Sequence, residues 1–114
     1  MKGKIVLVPF PFDDLSELKV RPAVCLMGPI GSFSHVVIAY ISSRLPAEIQ
    51  TSDLLVKSSA EGFPDTGLRT TSVIRIHRLV TISPNIIERE LGSLPKELVG
   101  QLEEKIRDLF GISG

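Results

Sequence analysis

Tryptophan is absent, tyrosine and cysteine occur once each, and aromatic residues fill only 5% of the 114 positions. The lone Cys25 excludes an internal disulfide framework and fits a reducing compartment. Zinc sites need three or four Cys, His or carboxylate ligands at suitable spacing. Here there are one cysteine and two histidines, His35 and His77, far apart in sequence. The adjacent Asp13 and Asp14 do not replace them, because neighbouring side chains rarely aim at one ion. No metal and no other cofactor is therefore expected. Phosphate-cradling GxxxxGK[ST] and GxGxxG loops are missing, as is a GxSxG elbow. No apolar run approaches the roughly 18 residues of a membrane helix. The opening Met1-Lys2-Gly3-Lys4-IVLVPFPF lacks a long apolar region and a small-residue cleavage site, so it does not read as a signal peptide. The expectation is a cytoplasmic protein that avoids membranes. Net charge is also absent: thirteen basic residues balance thirteen acidic ones. That excludes a polybasic nucleic-acid binder and leaves a local basic site open.

What remains is ordinary globular material, 43% hydrophobic and 23% charged, enough for one domain over residues 1–114. Residues 5–10 form a β-branched and aromatic run ended by Pro9 and Pro11, which cannot donate to a sheet ladder. A polar loop, residues 11–20, carries Asp13, Asp14 and Glu17. Strands are predicted at 21–27, 35–41 and 53–57, with turns or loops at 28–31, 43–52 and 58–70. Residues 71–82 read as one long strand or two short ones. Ile74, Ile76, Val80 and Ile82 share a parity and hence a buried face, and Arg78 breaks it, as a bulge or corner would. Ser83-Pro84 resembles a helix start, with a hydroxyl at the N-cap and proline at N1, and predicts a short helix over 84–91 closed by Gly92. A second helix is predicted over 95–110, where Leu98, Val99, Leu102, Ile106, Leu109 and Phe110 make one stripe. Strands first and helices last predict an α+β, mainly β fold with a curled, mostly antiparallel sheet.

Charge is unevenly distributed. Residues 66–83 hold Arg69, Arg75, Arg78 and His77 and no acid, whereas residues 84–114 hold six acids against four bases. The acid-free stretch is a modest basic patch, or a fluctuation of a small protein. Arg21 follows the polar loop, precedes Pro22 and opens a strand. There it can present its fork to a phosphate, stand solvated, or pair with Glu17. Ser42 closes the most apolar strand, where a hydroxyl also serves to satisfy strand-end backbone. Cys25 lies within an apolar strand, which suits a buried, inert thiol better than a nucleophile. His35 opens its strand as an exposed residue. His77 stands between Arg75 and Arg78 on a non-core face.

Gly3-Lys4-Ile5-Val6 and, after the loop, Arg21-Pro22-Ala23-Val24-Cys25-Leu26 resemble the N-terminal signature of the MazF/PemK toxins of toxin–antitoxin pairs. The resemblance continues through VVIAYISSR, TGLRTTSVIRIHRLVTI and the C-terminal helical segment, and so spans nearly the whole chain. It implies an SH3-like small β-barrel with C-terminal helices, MazF/CcdB-like. The activity it implies is that of an mRNA interferase, a metal-independent endoribonuclease that cuts single-stranded RNA by attack of the 2′-hydroxyl. Implied partners are a cognate antitoxin and a second copy of the chain in a homodimer. The signature arginine falls on Arg21 and the strand-end Thr/Ser on Ser42, both as catalytic residues. The family's loop acid falls on Ser16-Glu17 only with a loop one residue shorter. Glu17 and His77 are the candidate proton-transfer groups. Lys19, Arg69, Arg75 and Arg78 are candidate substrate-binding residues. Lys4 stands where the family usually has Asp, and Ser42 where Thr is common. The alternatives are a toxin of the same fold that acts by binding a protein, like CcdB-like gyrase poisons, and a degenerate member that binds antitoxin or RNA without cutting, because fold does not fix function.

Overall fold

The computed structural model describes residues 1–11 and 18–112. Six strands and one α-helix follow one another: β1 (Lys4–Pro11), β2 (Leu18–Ile30), β3 (His35–Ser42), β4 (Asp53–Val56), β5 (Ser72–Ile82), β6 (Arg89–Ser93) and α1 (Lys96–Leu109). They make a single curled antiparallel sheet in the order β4-β5-β3-β2-β1-β6. Every strand expected from the sequence is present. β2 extends into the predicted turn at 28–31, as far as Ile30, and the chain reverses at residues 31–34, where Gly31 and Ser34 take positive φ.

Strand alternation gives the sheet two apolar faces. On one, Ile5, Val24, Ile41 and Ile74 are sealed under Leu98 and Leu102 of α1. The amphipathic stripe of the helix thus does what its spacing predicts, and truncating fully buried Leu102 to alanine would cost about 2–5 kcal/mol. Phe110 is the exception: it falls beyond the helix and is exposed. On the other face lie Val6, Val8, Ala23, Cys25, Val36, Ile38, Tyr40 and Ile82. Burial pushes the Cys25 thiol above its ordinary value, which disfavours the thiolate and fits the inert role expected of it.

Two sequence expectations are corrected. The helix over 84–91 does not form. Ser83 does cap a turn, accepting a bond from the Asn85 N–H with Pro84 behind it, but the turn is a single 3-10 turn ending at Ile86. The chain then pairs with β1, Leu7 opposite Arg89 and Lys4 opposite Ser93. The free edge of β1 supplies ladder partners that a short, weakly capped helix cannot match. The barrel is therefore followed by one C-terminal helix, not several. The second correction concerns β5. Its register against β3 jumps from Arg75 opposite Tyr40 to Leu79 opposite Ala39, so residues 76–78 form an irregularity around the predicted Arg78. That jump reverses the parity. Ile74, Ile76 and Ile82 are buried as expected, whereas Val80 is exposed and Leu79 turns to the core.

Candidate functional site

Register places the central pair. The β2–β3 ladder runs to Ala23 opposite Tyr40, and Arg21 and Ser42 each lie two residues beyond that pair on their own strands. Val8 flanks Arg21 on β1 and Val73 flanks Ser42 on β5. Both polar side chains thus rise from rows fixed by apolar neighbours on either side. Arg21 and Ser42 line one cavity of about 310 Å³ together with Lys19, Tyr40, Ser43 and Arg44. Three of these residues are cationic and three carry a hydroxyl, and no carboxylate is among the described lining residues. The sequence motifs do not single out Arg44. Its signal is its place in Ile41-Ser42-Ser43-Arg44, two residues past the strand-end hydroxyl.

The Ser42 hydroxyl accepts a bond from the Arg44 N–H and donates to the Arg44 carbonyl, both at 3.1 Å. The strand-end backbone role is therefore filled. The same hydroxyl can swing its proton from that carbonyl to a bound anion while still accepting from the Arg44 N–H.

The remaining candidates separate. Lys19 joins Arg21 and Ser42 in the cavity. Arg69 lines a second cavity of about 440 Å³, which shares Arg21 and Ser43 with the first. Arg75 does not line either. Its Nε stands 2.7 Å from Oδ1 of Asp53, a carboxylate with no exposed side-chain surface. That contact is coulombic, since neither atom has a well-directed hydrogen bond among the described residues. The other Asp53 oxygen accepts from the Gln50 N–H at 2.9 Å. His77 joins this cluster, with Nδ1 3.3 Å from the Ser52 hydroxyl and 3.9 Å from Asp53. Arg78 sits 4.8 Å from the centre of the Tyr40 ring, a cation–π distance. It thus supports the ring that lines the Arg21 cavity. Glu17 and its neighbours Asp13, Asp14 and Ser16 lie outside the described residues. No group of three or more His, Cys, Asp or Glu among the described residues is placed to hold a metal, and no helix is long and apolar enough to cross a membrane.

A small curled barrel with one C-terminal helix, in which an arginine and a strand-end hydroxyl line one cavity, defines the class. Residues 1–110 match the family of PemK-like, MazF-like toxins of type II toxin–antitoxin systems, and the chain belongs to that family. Its fold is similar to that of the Mycobacterium tuberculosis toxin MazF-mt6, at 20% identity and a TM-score of 0.69 over 96% of this chain and 99% of that one. It is similar too to an endoribonuclease in complex with its cognate antitoxin from a mycobacterial species. That likeness has 11% identity and a TM-score of 0.69 over 100% of this chain and 97% of the other. No curated relative matches the chain by sequence.

Proposed function

We propose that this toxin is an endoribonuclease that cuts single-stranded RNA without a metal, at the cavity between β2 and β3. The observation that carries the reading is that Arg21 and Ser42 line one cavity together, with no carboxylate among its described lining residues. The 2′-oxygen attacks the adjacent phosphorus and the bond to the 5′-oxygen breaks. The 2′-hydroxyl gives up a proton and the leaving 5′-oxygen takes one. The products are a 2′,3′-cyclic phosphate and a 5′-hydroxyl end. Charge accumulates on the non-bridging oxygens of the five-coordinate phosphorus. The planar fork of Arg21 spans two such oxygens, and Ser42 donates to one. Arginine stays protonated throughout, so it serves as an electrostatic donor and not as a base.

The partner reading follows the same surface. The solved endoribonuclease that resembles this chain is bound to its cognate antitoxin. In this protein an acidic antitoxin segment would compete for the cations around Arg21 and block the path of RNA. The active form is a symmetric homodimer, which light scattering at micromolar concentration would report as twice the chain mass. The test of the central reading is to incubate purified protein with mixed-sequence RNA in excess EDTA and map the ends. Discrete cuts with 5′-hydroxyl and cyclic-phosphate ends are expected. Absence of cleavage of any RNA, with poisoning of a protein target, would transfer the protein to the binding-toxin class.

A further inference from the structure

The second cavity, on the far side of Arg21, has walls of a particular kind. Arg69 and Arg89 both face it, along with the hydroxyl residues Ser43 and Thr70, and no carboxylate is among its described lining residues. Neither arginine has an ion pair among the described residues, in contrast to Arg75. Apolar Leu68 and Leu91 complete the wall. Its volume of about 440 Å³ lies near the lower end of the roughly 300–1,000 Å³ range of small-ligand sites, room for one nucleotide and not for a folded partner.

The walls are fixed to one another before any ligand arrives. Arg69 follows a 3-10 turn (Phe63–Thr66) whose Thr66 side chain is fully buried. That hydroxyl donates to the Phe63 carbonyl at 2.7 Å and accepts from the Leu68 N–H at 3.0 Å. Gly67 takes positive φ, and a Cβ there would run into the Leu91 carbonyl of β6. From the other side, a Cβ on Gly92 would run into the Asp65 carbonyl. Two glycines thus press the turn that carries Arg69 against the strand that carries Arg89. Arg89 is opposite Leu7, and Leu7 is opposite Pro22, the neighbour of Arg21. All three guanidiniums are therefore mounted on a single ladder and its clamped turn.

We propose that this cavity is a second phosphodiester subsite, in which Arg69 and Arg89 together hold the phosphate next to the one at Arg21, with the ribose or base against Leu68 and Leu91. The inference rests on the ribonuclease reading for its ligand, an RNA chain, and assigns the path that chain takes. Two planar forks and flanking hydroxyls match the several oxygens of one phosphate, and the apolar wall matches the attached sugar and base. Arg21, shared by both cavities, makes them consecutive stations on one backbone.

The test uses the full chain and a fluorescent 12-nucleotide 2′-O-methyl RNA of mixed sequence, which binds but cannot be cut because it lacks the attacking hydroxyl. Affinity is measured against salt for wild type, Arg69→Ala, Arg89→Ala, the double variant and the control Lys96→Ala, a cation on α1. For single strands each neutralised phosphate contributes about 0.7 to the slope of log affinity on log salt. The double variant should lose roughly tenfold in affinity and about 0.7 in slope, one phosphate's worth. Each single variant should lose most of that affinity, and Lys96→Ala should lose none. The pair Arg69→Lys with Arg89→Lys should keep the slope, since charge remains. Unchanged affinity and slope in the double variant would overturn the proposal, as would a wild type that does not bind the probe. A slope change near 1.4 would mean two separate phosphates and would overturn the shared subsite. Inorganic phosphate titrated alone distinguishes a free-anion site: saturable binding lost in the double variant, with the oligonucleotide slope intact, would overturn it. So would loss of affinity for an acidic peptide alone. Cleavage of natural RNA by wild type is scored separately. A wild type that cuts no RNA defeats the ribonuclease reading even where the slopes behave as stated, so the two failures are told apart.

Discussion

The arginines of this toxin form two groups that the sequence writes in the same letters. Arg75 and Arg78 are occupied. One is tied to a buried carboxylate at 2.7 Å, and the other lies 4.8 Å from the Tyr40 ring centre. Arg69 and Arg89 have no ion pair among the described residues, and both face a cavity with no carboxylate among its described lining residues. The difference is one of sheet position. Arg75 stands at a register point where β4 places Asp53 beside it. Arg69 and Arg89 stand on the end of the sheet where β6 and the clamped 3-10 turn meet. A cation that compensates a buried acid supports the fold. A cation left facing a cavity is available to a ligand.

The strongest way to break this comparison is through the clamp. Gly92→Ala forces a Cβ into the Asp65 carbonyl, backbone against backbone. The expected loss is at the upper end for a point substitution, on the order of 4 kcal/mol in denaturant unfolding. An unchanged midpoint would mean that the two walls are not locked together.

Next comes Asp53→Ala, which leaves the mostly buried Arg75 without its counter-charge and the Gln50 N–H without its acceptor. The expected cost is roughly 3 kcal/mol of stability, with the affinity for a non-cleavable RNA unchanged. Weakened RNA binding at preserved stability would move Arg75 into the ligand-facing group. A smaller effect is expected for Arg78→Ala, about 0.5–1 kcal/mol of stability from the lost cation–π contact. Any effect on RNA should pass through Tyr40, so the variant Tyr40→Phe, which keeps the ring, should retain the Arg78 contribution in a double-mutant cycle.

The smallest effect belongs to an exposed pair away from the site. Lys2 Nζ donates to Glu103 at 2.6 Å, and this hydrogen bond, with the lysine charge, holds the Glu103 carboxyl below its ordinary value. A depressed carboxylate contributes its stability above the ordinary carboxylate range and loses it as pH falls through the lowered value. An NMR titration should place the Glu103 midpoint below that of a free glutamate, and Lys2→Met should return it. Solvent at both side chains keeps the consequence for stability small.

Much of the fold is legible in the order of the residues alone. Short apolar, β-branched runs mark β1 through β5 because the sheet buries side chains on both of its faces. The 3.6 period of Leu98, Leu102 and Ile106 marks α1. The strand β6 is not legible, since Ser83-Pro84 carries a true capping signal and nothing local says that β1 has an edge to fill. Arg89 is hidden with it, because on a helix over 84–91 it would face solvent. The association of Arg21 with Ser42 is legible only through the family resemblance; the fold brings both to the lining of one cavity. The three arginines of residues 66–83 cannot be told apart by sequence, because the acid that captures Arg75 lies outside that stretch, at Asp53.

The most direct measurement sets Arg21, the arginine shared by both cavities, against the occupied Arg75. Single-turnover cleavage and filter-binding affinity are compared for Arg21→Lys and Arg75→Lys. Lysine keeps the charge and loses the fork, so the loss at Arg21 should fall on the chemical step. Arg21→Lys should slow cleavage by on the order of a hundredfold to a thousandfold with affinity little changed. Arg75→Lys should cut at the wild-type rate in a protein that unfolds more easily. Wild-type cleavage by Arg21→Lys would contradict the assignment of Arg21 as the donor to the transition state.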